Sequence, residues 1–398
     1  MGAAGIICEY NPFHEGHKYH IERVRELTGA DTVVALMNGD FVQRGEPAVV
    51  DKYVRARMAL LEGADMVFEL PVRYGLSSAE DFAYGGILAL HSLSFVDFFC
   101  FGSEGAPRQA LEEAGNFFAW ESPEYQRLLG GFLREGMSFP AARERAFAEC
   151  TDMEESERKV LFTPNNILAL EYIKTAKRLK TPMRPAVIER RGMGYHEVEN
   201  REGETGFLSA TAIRQRVVKG ELCGMPPEAL EEFKKACYYV QLENFWQICS
   251  YAIRNKWDEL ERIKDVSEEL ANAFRKNWYE AVSLEDFVNR CKTKNITMSR
   301  VKRCVFQTLL DIEKTEEREK NLPYIRLLGM RKEAAVYLGQ VKETTVVGRL
   351  AKDMGQLPKQ AAKKLEQDIR ASDIYRSVVM GASGRALPEE YKRPVIII

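Results

Sequence analysis

Short apolar runs rich in β-branched residues alternate with amphipathic stretches through residues 1–220. This pattern is typical of parallel strands covered by helices, and it predicts an α/β domain. The predicted strands are 3–9, 32–37, 66–69, 95–101 and 185–189, and the predicted helices are 17–27, 51–62, 79–93, 107–120, 165–179 and 209–219. Residues 121–164 break the alternation and predict a helical insertion, with one helix starting at Phe139 and Pro140.

Beyond residue 222 the apolar positions recur at spacings of three and four, the period of amphipathic helices. These segments are 227–240, 243–251, 284–291 and 299–316. Gly220, Gly224, Pro226 and Pro227 interrupt the chain just before them, as in a linker between domains. We therefore predict a first domain over 1–222 and a mainly helical second domain over 223–398. Two short apolar runs, 335–338 and 395–398, are predicted to pair as late strands.

The composition of the 398 residues is that of an ordinary globular protein, with 45% hydrophobic and 29% charged side chains. It excludes a chain that is mainly disordered, collagen-like or membrane-embedded. The formal charge of −2 argues neither for nor against a polyanionic partner. The second half is mildly basic, however, and residues 287–310 hold basic side chains without an acidic one: Arg290, Lys292, Lys294, Arg300, Lys302 and Arg303. This basic segment is either a solvated helix face or a contact for phosphates.

The eight cysteines are scattered, without a C-x-x-C pair and without a histidine at a zinc-ligand spacing. We interpret them as reduced thiols. The first residues lack the basic region and cleavage site of a signal peptide, and no run of 18 uncharged apolar residues occurs. These features predict a cytoplasmic protein that does not enter a membrane.

The histidines of the chain are concentrated at one turn. Three of the five, His14, His17 and His20, lie in the segment GIICEYNPFHEGHKYH, where the first predicted strand turns into the first predicted helix. Ligands of doubly wound sheets bind at this edge, and the free N–H groups of a helix start attract phosphate. Two imidazoles placed there would donate hydrogen bonds as charge builds on the α-phosphate of a nucleotide.

The residues around the histidines fit the same interpretation. Gly16 would let the backbone approach a nucleotide, and Asn11 and Pro12 would hold the turn. Two alternatives remain open: the histidines are incidental, or His14 and His17 bind a metal, although no carboxylate or thiol stands at a matching spacing except Glu15, which is expected to point elsewhere. The sequence contains no GxxxxGK[ST] motif, which excludes a P-loop, and no GxGxxG motif follows a strand.

A second cluster of polar residues, FLSATAIRQ, follows the last predicted strand of the first domain. Ser209 and Thr211 stand where the N-cap of a helix is expected, and Arg214 comes one turn later. Hydroxyls, backbone N–H groups and an arginine at a helix start can bind the departing β- and γ-phosphates. Alone this cluster is a good N-cap, but together with the His-x-Gly-His turn it predicts the second half of an adenylyl-transfer site.

These two motifs resemble the nucleotidylyltransferase superfamily, to which the class I aminoacyl-tRNA synthetases are related. More narrowly, motifs spread over most of residues 1–220 resemble the tRNA(Met) cytidine acetate ligase family. They are EYNPFHEGH (9–17), NGDFVQRGEPA (38–48), ELPVRYGLSSAEDFAYG (69–85), FGSE (101–104), NNILALEYI (165–173) and LSATAIR (208–214). The resemblance implies a Rossmann-like parallel sheet in the nucleotidyltransferase domain. The second half carries no comparably distinctive motif.

The resemblance implies an ATP-dependent ligase that works in two steps. Acetate and ATP would form acetyl-adenylate with release of pyrophosphate. The acetyl group would then pass to N4 of the wobble cytidine of elongator tRNA(Met), giving N4-acetylcytidine, and the second domain would bind the tRNA. ATP accompanied by Mg²⁺, acetate and tRNA(Met) are thus the expected ligands, and no obligate protein partner is expected.

The resemblance and the two motifs together indicate the site residues. The residues expected to be catalytic are His14, His17, Asp40 and Arg214. The residues expected to bind the nucleotide are Ile7, Cys8, Glu9, Tyr10, Asn11, Pro12, Phe13, His14, Glu15, Gly16, His17, Lys18, Tyr19, His20, Gly102, Asn165, Arg190, Arg191, Ser209 and Thr211. No residue is assigned as a metal ligand.

Asp40 lies in the loop after the second predicted strand, on the same edge of the sheet as the histidines. We expect it to organise the site through Mg²⁺ or a neighbouring cation, the alternative being a plain turn carboxylate. Lys52 is a weaker candidate for a phosphate contact.

Two other functions fit the same residues. One is a small-molecule adenylyltransferase, which would not need the long, mildly basic second half. The other is an RNA-binding protein with a vestigial nucleotide site, against which the intact His14, Gly16, His17 and Arg214 argue.

Overall fold

The computed structural model describes residues 2–190, 207–315 and 318–398, so Arg191 of the expected site lies outside the described residues. The strands are β1 (Ala3–Cys8), β2 (Thr32–Asn38), β3 (Phe41–Val42), β4 (Glu46–Pro47), β5 (Met66–Leu70), β6 (Val96–Ser103), β7 (Arg184–Glu189), β8 (Tyr324–Met330), β9 (Thr345–Val347) and β10 (Ile396–Ile397).

The helices of the first half are α1 (Glu15–Thr28), α2 (Lys52–Leu61), α3 (Val72–Gly75), α4 (Ala79–Ser92), α5 (Arg108–Ala119), α6 (Pro123–Arg134), α7 (Phe139–Glu149), α8 (Glu155–Leu161), α9 (Pro164–Arg178) and α10 (Ala210–Val218). Those of the second half are α11 (Pro227–Ala236), α12 (Trp246–Asn255), α13 (Glu268–Asn277), α14 (Leu284–Cys291), α15 (Met298–Leu310), α16 (Leu350–Asp353) and α17 (Lys359–Ser383). Short 3₁₀ helices cover Leu242–Phe245, Leu260–Arg262, Lys332–Gln340, Met354–Gln356 and Glu390–Lys392.

Within the described residues, eight strands form one sheet in the order β10-β8-β5-β2-β1-β6-β7, with β9 beside β8. Neighbouring strands are parallel, except that β5 and β8 are antiparallel. The hairpin of β3 and β4 stands apart from this sheet. The predicted α/β fold with a mostly parallel sheet is therefore confirmed.

Successive side chains of the central strands point to opposite faces of the sheet, and each face has its own core. In β2, Val33, Ala35 and Met37 belong to one core, together with residues of α1, α2 and α10. Val34 and Leu36 belong to the other, together with residues of α4, α5 and α9. Because helices cover both faces, the carboxyl ends of the strands are the place for a ligand.

The second half of the chain shares the sheet and a core with the first. Phe41 of the β3–β4 hairpin packs against three aromatic rings from beyond residue 222, with centroid distances of 5.7 Å to Phe245, 5.4 Å to Phe306 and 6.2 Å to Tyr375. Strand β8 pairs with β5. The division after residue 222 stays a prediction, but the segments on its two sides are packed together.

Strand β8 is absent from the elements that the sequence predicts, because Arg326 and Gly329 interrupt its apolar run. Arg326 is nevertheless only 4% exposed. Its guanidinium pairs with the carboxylates of Glu69 and Glu390, which stand far away in the sequence. A buried charge with distant partners therefore hides a strand from local pattern analysis.

Other local predictions have mixed outcomes. The strand predicted at 335–338 is wrong, because these residues lie in the 3₁₀ helix Lys332–Gln340, where Ala334 and Tyr337 are buried at a spacing of three. The late strand near the end of the chain is confirmed as β10, but it pairs with β8 and not with residues 335–338. The helical insertion over 121–164 is confirmed as α6, α7 and α8, and α7 begins at Phe139.

Among the described residues, no helix combines the length and the apolar content that a membrane crossing requires.

Candidate functional site

Two histidines cap the first helix where β1 turns into α1. His14 is the N-cap residue, and its Nδ1 accepts a hydrogen bond from the backbone N of Gly16 at 3.1 Å. In return, Nδ1 of His17 accepts a hydrogen bond from the backbone N of His14 at 3.2 Å. This is a capping box in which histidines replace the usual hydroxyl and carboxylate side chains. The two rings stack with 3.6 Å between their centroids.

Gly16 is required for the way the His14 ring folds over the helix start. A Cβ atom at position 16 would lie only 3.0 Å from Cε1 and 3.1 Å from Nδ1 of His14. The glycine therefore serves the capping geometry, and its expected role in letting the backbone approach a nucleotide stays a prediction.

The capping bonds fix the protonation of both rings. A neutral imidazole that accepts a hydrogen bond at Nδ1 carries its proton on Nε2. Both residues are half-buried, yet protein atoms surround their rings, and this burial, with Arg190 and Arg214 nearby, lowers the pKa of His14 to about 3. Burial and the neighbouring His14 hold the pKa of His17 well below its usual value. Both rings are therefore neutral near pH 7, and each presents an Nε2–H donor.

Buried polar atoms that lack a hydrogen-bond partner among the described residues include Nε2 of His20 and Nδ2 of Asn11, in the segment that contains this capping box. The amide of Asn11 is held in place because its Oδ1 accepts a hydrogen bond from the backbone N of Val49 at 2.8 Å. Buried polar atoms are normally hydrogen-bonded, so these atoms require a partner such as ordered water, an ion or a ligand.

The start of α10 meets the same turn. Ser209 is the N-cap residue, and its Oγ accepts a hydrogen bond from the backbone N of Ala212 at 3.2 Å. Arg214 donates from Nη1 to the backbone O of Asn11 at 2.9 Å, and its Nη2 lies 3.4 Å from Oγ1 of Thr211. The structure thus brings together the two motifs that stand about 200 residues apart in the sequence, with Arg214 making the contact.

The ends of β6 and β7 form another side of this crevice. A Cβ atom at Gly102 would lie 2.8 Å from Cγ of Arg190, so the glycine leaves space for the arginine side chain. The charge of Arg190 lowers the pKa of all three clustered histidines in addition to their burial. Asn165, at the start of α9, donates a hydrogen bond to the carboxylate of Glu104 just beyond β6. Gly102, Asn165 and Arg190 therefore lie on neighbouring elements at the carboxyl edge of the sheet.

Several of the remaining residues of segment 7–20 pack against the protein and support the turn. Tyr10 and Phe13 are buried, with centroid distances of 4.7 and 5.5 Å to the His17 ring. Sγ of Cys8 lies 3.6 Å from the backbone O of Leu36. Of these remaining residues, the half-buried ones are Ile7, Glu9, Glu15, Lys18 and Tyr19.

Asp40 is more deeply buried than we expect for a side chain that contacts a nucleotide. It is 4% exposed, its Oδ1 accepts a hydrogen bond from the backbone N of Lys52 at 2.8 Å, and Nη2 of Arg55 lies 3.9 Å away. Burial raises the pKa of Asp40 to about 6. Because Lys52 and Arg55 are its neighbours, Asp40 fits the expected role of organising nearby cations better than the role of a Mg²⁺ ligand.

Lys52 is completely buried, so the prediction that it contacts phosphate is wrong. Its Nζ donates to both carboxylate oxygens of Glu69 at 2.8 and 2.9 Å and to Oγ of Ser372 at 2.8 Å. Glu390 lies 3.1 Å from the same atom. The amino group is therefore occupied by the fold.

A zinc site at the histidine turn gains no support. Among the residues that the structure describes, no group of three or more His, Cys, Asp and Glu side chains is placed to hold a metal ion. The Nδ1 atoms of His14 and His17 are also both used by the capping box.

The basic segment of residues 287–310 is not one continuous free surface. Arg290 pairs with Glu280 and Asp286, Lys302 with Glu46, and Arg303 with Asp265. The exposed lysines of the segment are Lys292 and Lys294 in the loop between α14 and α15.

The sequence matches the HIGH Nucleotidyl Transferase family model over residues 1–387. A tRNA(Met) cytidine acetate ligase of Caldicellulosiruptor saccharolyticus is 41% identical over 386 residues, which cover 94% of each chain. A protein of the same name from Thermoanaerobacter pseudethanolicus is 39% identical over 385 residues, covering 94% of this chain and 95% of that one. The chain belongs to the tRNA(Met) cytidine acetate ligase family.

Solved structures of the family agree with this assignment. Thermotoga maritima TmcAL without ligand is 30% identical, with a TM-score of 0.93 and full coverage of both chains. The same enzyme bound with alpha-thio ATP gives a TM-score of 0.91, again with full coverage. The predicted family and the prediction that the chain is a ligase are therefore confirmed, and the solved relative binds an ATP analogue.

Sequence reasoning missed Glu46 in this ligase. Its Oε2 lies 3.3 Å from Nη2 of Arg214, at the point where α10 meets the histidine turn. The only signal in the sequence is an acidic residue inside the QRGEP turn, and turn carboxylates are common.

Proposed function

We propose that this ligase activates acetate with ATP and transfers the acetyl group to N4 of the wobble cytidine of elongator tRNA(Met), giving N4-acetylcytidine. The observation that carries the proposal is the pair of neutral Nε2–H donors of His14 and His17, which lie where α1 begins and where Arg214 approaches. The names of the relatives and the ATP analogue bound by the T. maritima enzyme support it.

In the first proposed step, a carboxylate oxygen of acetate attacks the α-phosphorus of ATP, and the bond from that phosphorus to the pyrophosphate oxygen breaks. Negative charge grows on the α-phosphate oxygens as the step proceeds. The Nε2–H groups of His14 and His17 donate hydrogen bonds to those oxygens, and fixed donors of this kind stabilise a transition state strongly. Arg214 and the backbone N–H groups at the start of α10 hold the departing pyrophosphate.

In the second proposed step, N4 of the cytidine attacks the carbonyl carbon of acetyl-adenylate. The bond from that carbon to the AMP oxygen breaks, and N4 gives up one proton. Because ATP has already activated the acetyl group, no covalent intermediate on the enzyme is needed. We assign Lys292 and Lys294 as contacts for the tRNA backbone, since they are the exposed lysines of the basic segment.

We propose that Mg²⁺ arrives with ATP and is held mainly by phosphate oxygens and water, as is usual for this ion. Two acidic side chains of the expected site region are already engaged: Asp40 accepts a hydrogen bond from the backbone N of Lys52, and Glu46 pairs with Arg214 and Lys302. We propose that the enzyme is located in the cytoplasm, because both ATP and tRNA are found there.

The first step is tested by exchange of labelled pyrophosphate into ATP by the full chain. The proposal expects exchange with acetate and none without a carboxylate. Exchange with propionate or formate but not with acetate would contradict the substrate, and exchange that requires a phosphorylated precursor instead of a carboxylate would favour a small-molecule adenylyltransferase.

The second step is tested with labelled acetate, ATP and a tRNA(Met) transcript, followed by mass spectrometry of its nucleosides. The label is expected in N4-acetylcytidine, and a transcript with uridine at the wobble position is the matched control. Equal labelling of the two transcripts would contradict the proposed position.

A further inference from the structure

Glu46 lies between two cations that come from different parts of the chain. Its Oε2 is 3.3 Å from Nη2 of Arg214, and its Oε1 accepts a hydrogen bond from Nζ of Lys302 at 2.6 Å. The three side chains are only 18–22% exposed. Burial would raise the pKa of Glu46, but Arg214 and Lys302 together hold it below its usual value, so the carboxylate is charged near pH 7.

The hairpin that carries Glu46 is fixed against helix α15. Gly45 has a φ of +77°, a conformation that favours glycine, and a Cβ atom there would lie 2.4 Å from the backbone N of Arg303. The turn of the hairpin thus touches the backbone of α15. The Glu46 side chain is consequently fixed at both ends: its backbone belongs to the hairpin that packs on α15, and its carboxylate accepts a hydrogen bond from Lys302.

The hydrogen bonds of Arg214 leave part of its guanidinium for a ligand. An arginine has five N–H donors in a rigid plane. Nη1 donates to the backbone O of Asn11, and Nη2 faces Thr211 and Glu46. Within the part of the chain that the structure describes, these bonds do not use the Nε–H and one Nη1–H of Arg214. Because the group is planar, fixing Nη2 also fixes the direction of these two donors.

We infer that Glu46 is a positioning residue, which orients the guanidinium of Arg214 toward the phosphates while Lys302 holds the Glu46 carboxylate in place. Glu46 itself contacts no substrate and acts through Arg214. The inference rests on the proposed function, in which Arg214 binds the departing pyrophosphate. It also gives Lys302 a role inside the catalytic half instead of on a tRNA surface.

A double-mutant cycle tests this inference with acetate-dependent pyrophosphate exchange by the full chain. Glu46→Gln keeps an oxygen acceptor but removes the charge that fixes the guanidinium. We expect it to lower kcat about tenfold, with less than a threefold change in KM for ATP, because misorientation costs most in the transition state. In the Arg214→Met background, the same substitution should change kcat less than about twofold, since coupled residues lose their effect together.

Lys302→Met provides a second variant that leaves both Glu46 and Arg214 in place. It should lower kcat about threefold in the native background and leave the Arg214→Met enzyme unchanged. Lys276→Met, at an exposed lysine of α13, is the matched control for loss of one lysine. Thermal melting curves show whether each variant is folded.

The outcomes separate the inference from the function on which it rests. An equal loss on Glu46→Gln with and without Arg214, or no loss with Arg214 present, would overturn the positioning role. If Glu46→Gln does not fold, the Lys302→Met cycle decides by the same criterion. A native enzyme that shows no acetate-dependent exchange would instead contradict the proposed function.

Discussion

The crevice at the histidine turn and a buried charge cluster use buried polar groups in opposite ways. The charge cluster consists of Lys52, Glu69, Arg326 and Glu390, and each of its charges lies close to an opposite one: Nζ of Lys52 is 2.8 Å from Glu69 and 3.1 Å from Glu390. The crevice instead contains neutral imidazoles with Nε2–H donors and atoms that lack a partner among the described residues.

The difference separates groups that close the fold from groups that await a ligand. In the charge cluster, partners from residues 52, 69, 326 and 390 neutralise one another and join β5, α2, β8 and the last 3₁₀ helix. In the crevice, the histidines use only one ring nitrogen each for the fold. Buried charges that are paired with opposite charges thus indicate architecture, and neutral donors at the carboxyl end of a strand favour an interpretation as a ligand site.

The largest effect is expected from breaking the charge cluster. Lys52→Met leaves two buried carboxylates with less compensation, and removing one partner of a buried ion pair typically costs about 3–5 kcal/mol of unfolding free energy. Urea unfolding measures this loss, with Lys276→Met as the exposed control. A loss as small as that of the control would show that the charge cluster does not stabilise the fold.

The next effect concerns the crevice and should appear in catalysis. His14→Asn keeps an N-cap acceptor but removes the Nε2–H donor, whereas His14→Ala removes both. Both variants should slow acetate-dependent exchange by on the order of 10² or more. Only His14→Ala should also lose about 1 kcal/mol of stability, the usual value of a cap. If His14→Asn retained full activity, the ring would be a cap and nothing more.

A smaller effect is expected for tRNA binding. Replacing Lys292 and Lys294 with Ala should weaken binding and lower the slope of log affinity against log salt by about 1 for each phosphate that the variant no longer neutralises. Filter binding at several salt concentrations measures this slope, and Lys276→Ala is the control. An unchanged slope would place the tRNA surface elsewhere.

The smallest effect is expected from pH. Because the pKa of His14 is about 3 and that of His17 is also lowered, neither ring gains a proton between pH 8 and pH 6. The exchange rate at saturating substrates should therefore not depend on histidine protonation in this range. A rate that falls tenfold as the pH rises through 6.5 would instead require an imidazolium.

The same lowered pKa values have a consequence for stability. The unfolded histidines bind protons below about pH 6.5, whereas the folded ones remain neutral, so unfolding takes up protons. The clustered histidines thus contribute stability that is present above pH 6.5 and is lost as the pH falls through the pKa of His20, about 4, and on to that of His14, about 3.

The features that could be predicted from sequence are local ones. The end of the first strand, Gly16 and the three histidines all lie inside one segment of sixteen residues, 5–20. Ser209 likewise marks the start of α10, because it is the N-cap residue of that helix. Short-range patterns of this kind carry their physical cause with them, so both halves of the crevice could be identified before their contact was known.

The features that could not be predicted depend on distant partners. A lysine in the first turn of α2 looks exposed until Glu69 and Glu390 are placed beside it. Glu46 looks like a turn residue until α10 and α15 bring Arg214 and Lys302 to it. In each case the decisive neighbour is set by tertiary packing, which a single sequence does not display.

The central claim is that His14 and His17 are neutral Nε2–H donors that hold the phosphates of ATP. Nitrogen-15 NMR of histidine-labelled protein tests it directly, because the chain has only five histidines. We predict that both rings are neutral with the proton on Nε2 at pH 7, and that an ATP analogue shifts these Nε2–H resonances. Rings that are doubly protonated, or that carry the proton on Nδ1, or that do not respond to the nucleotide, would contradict the claim.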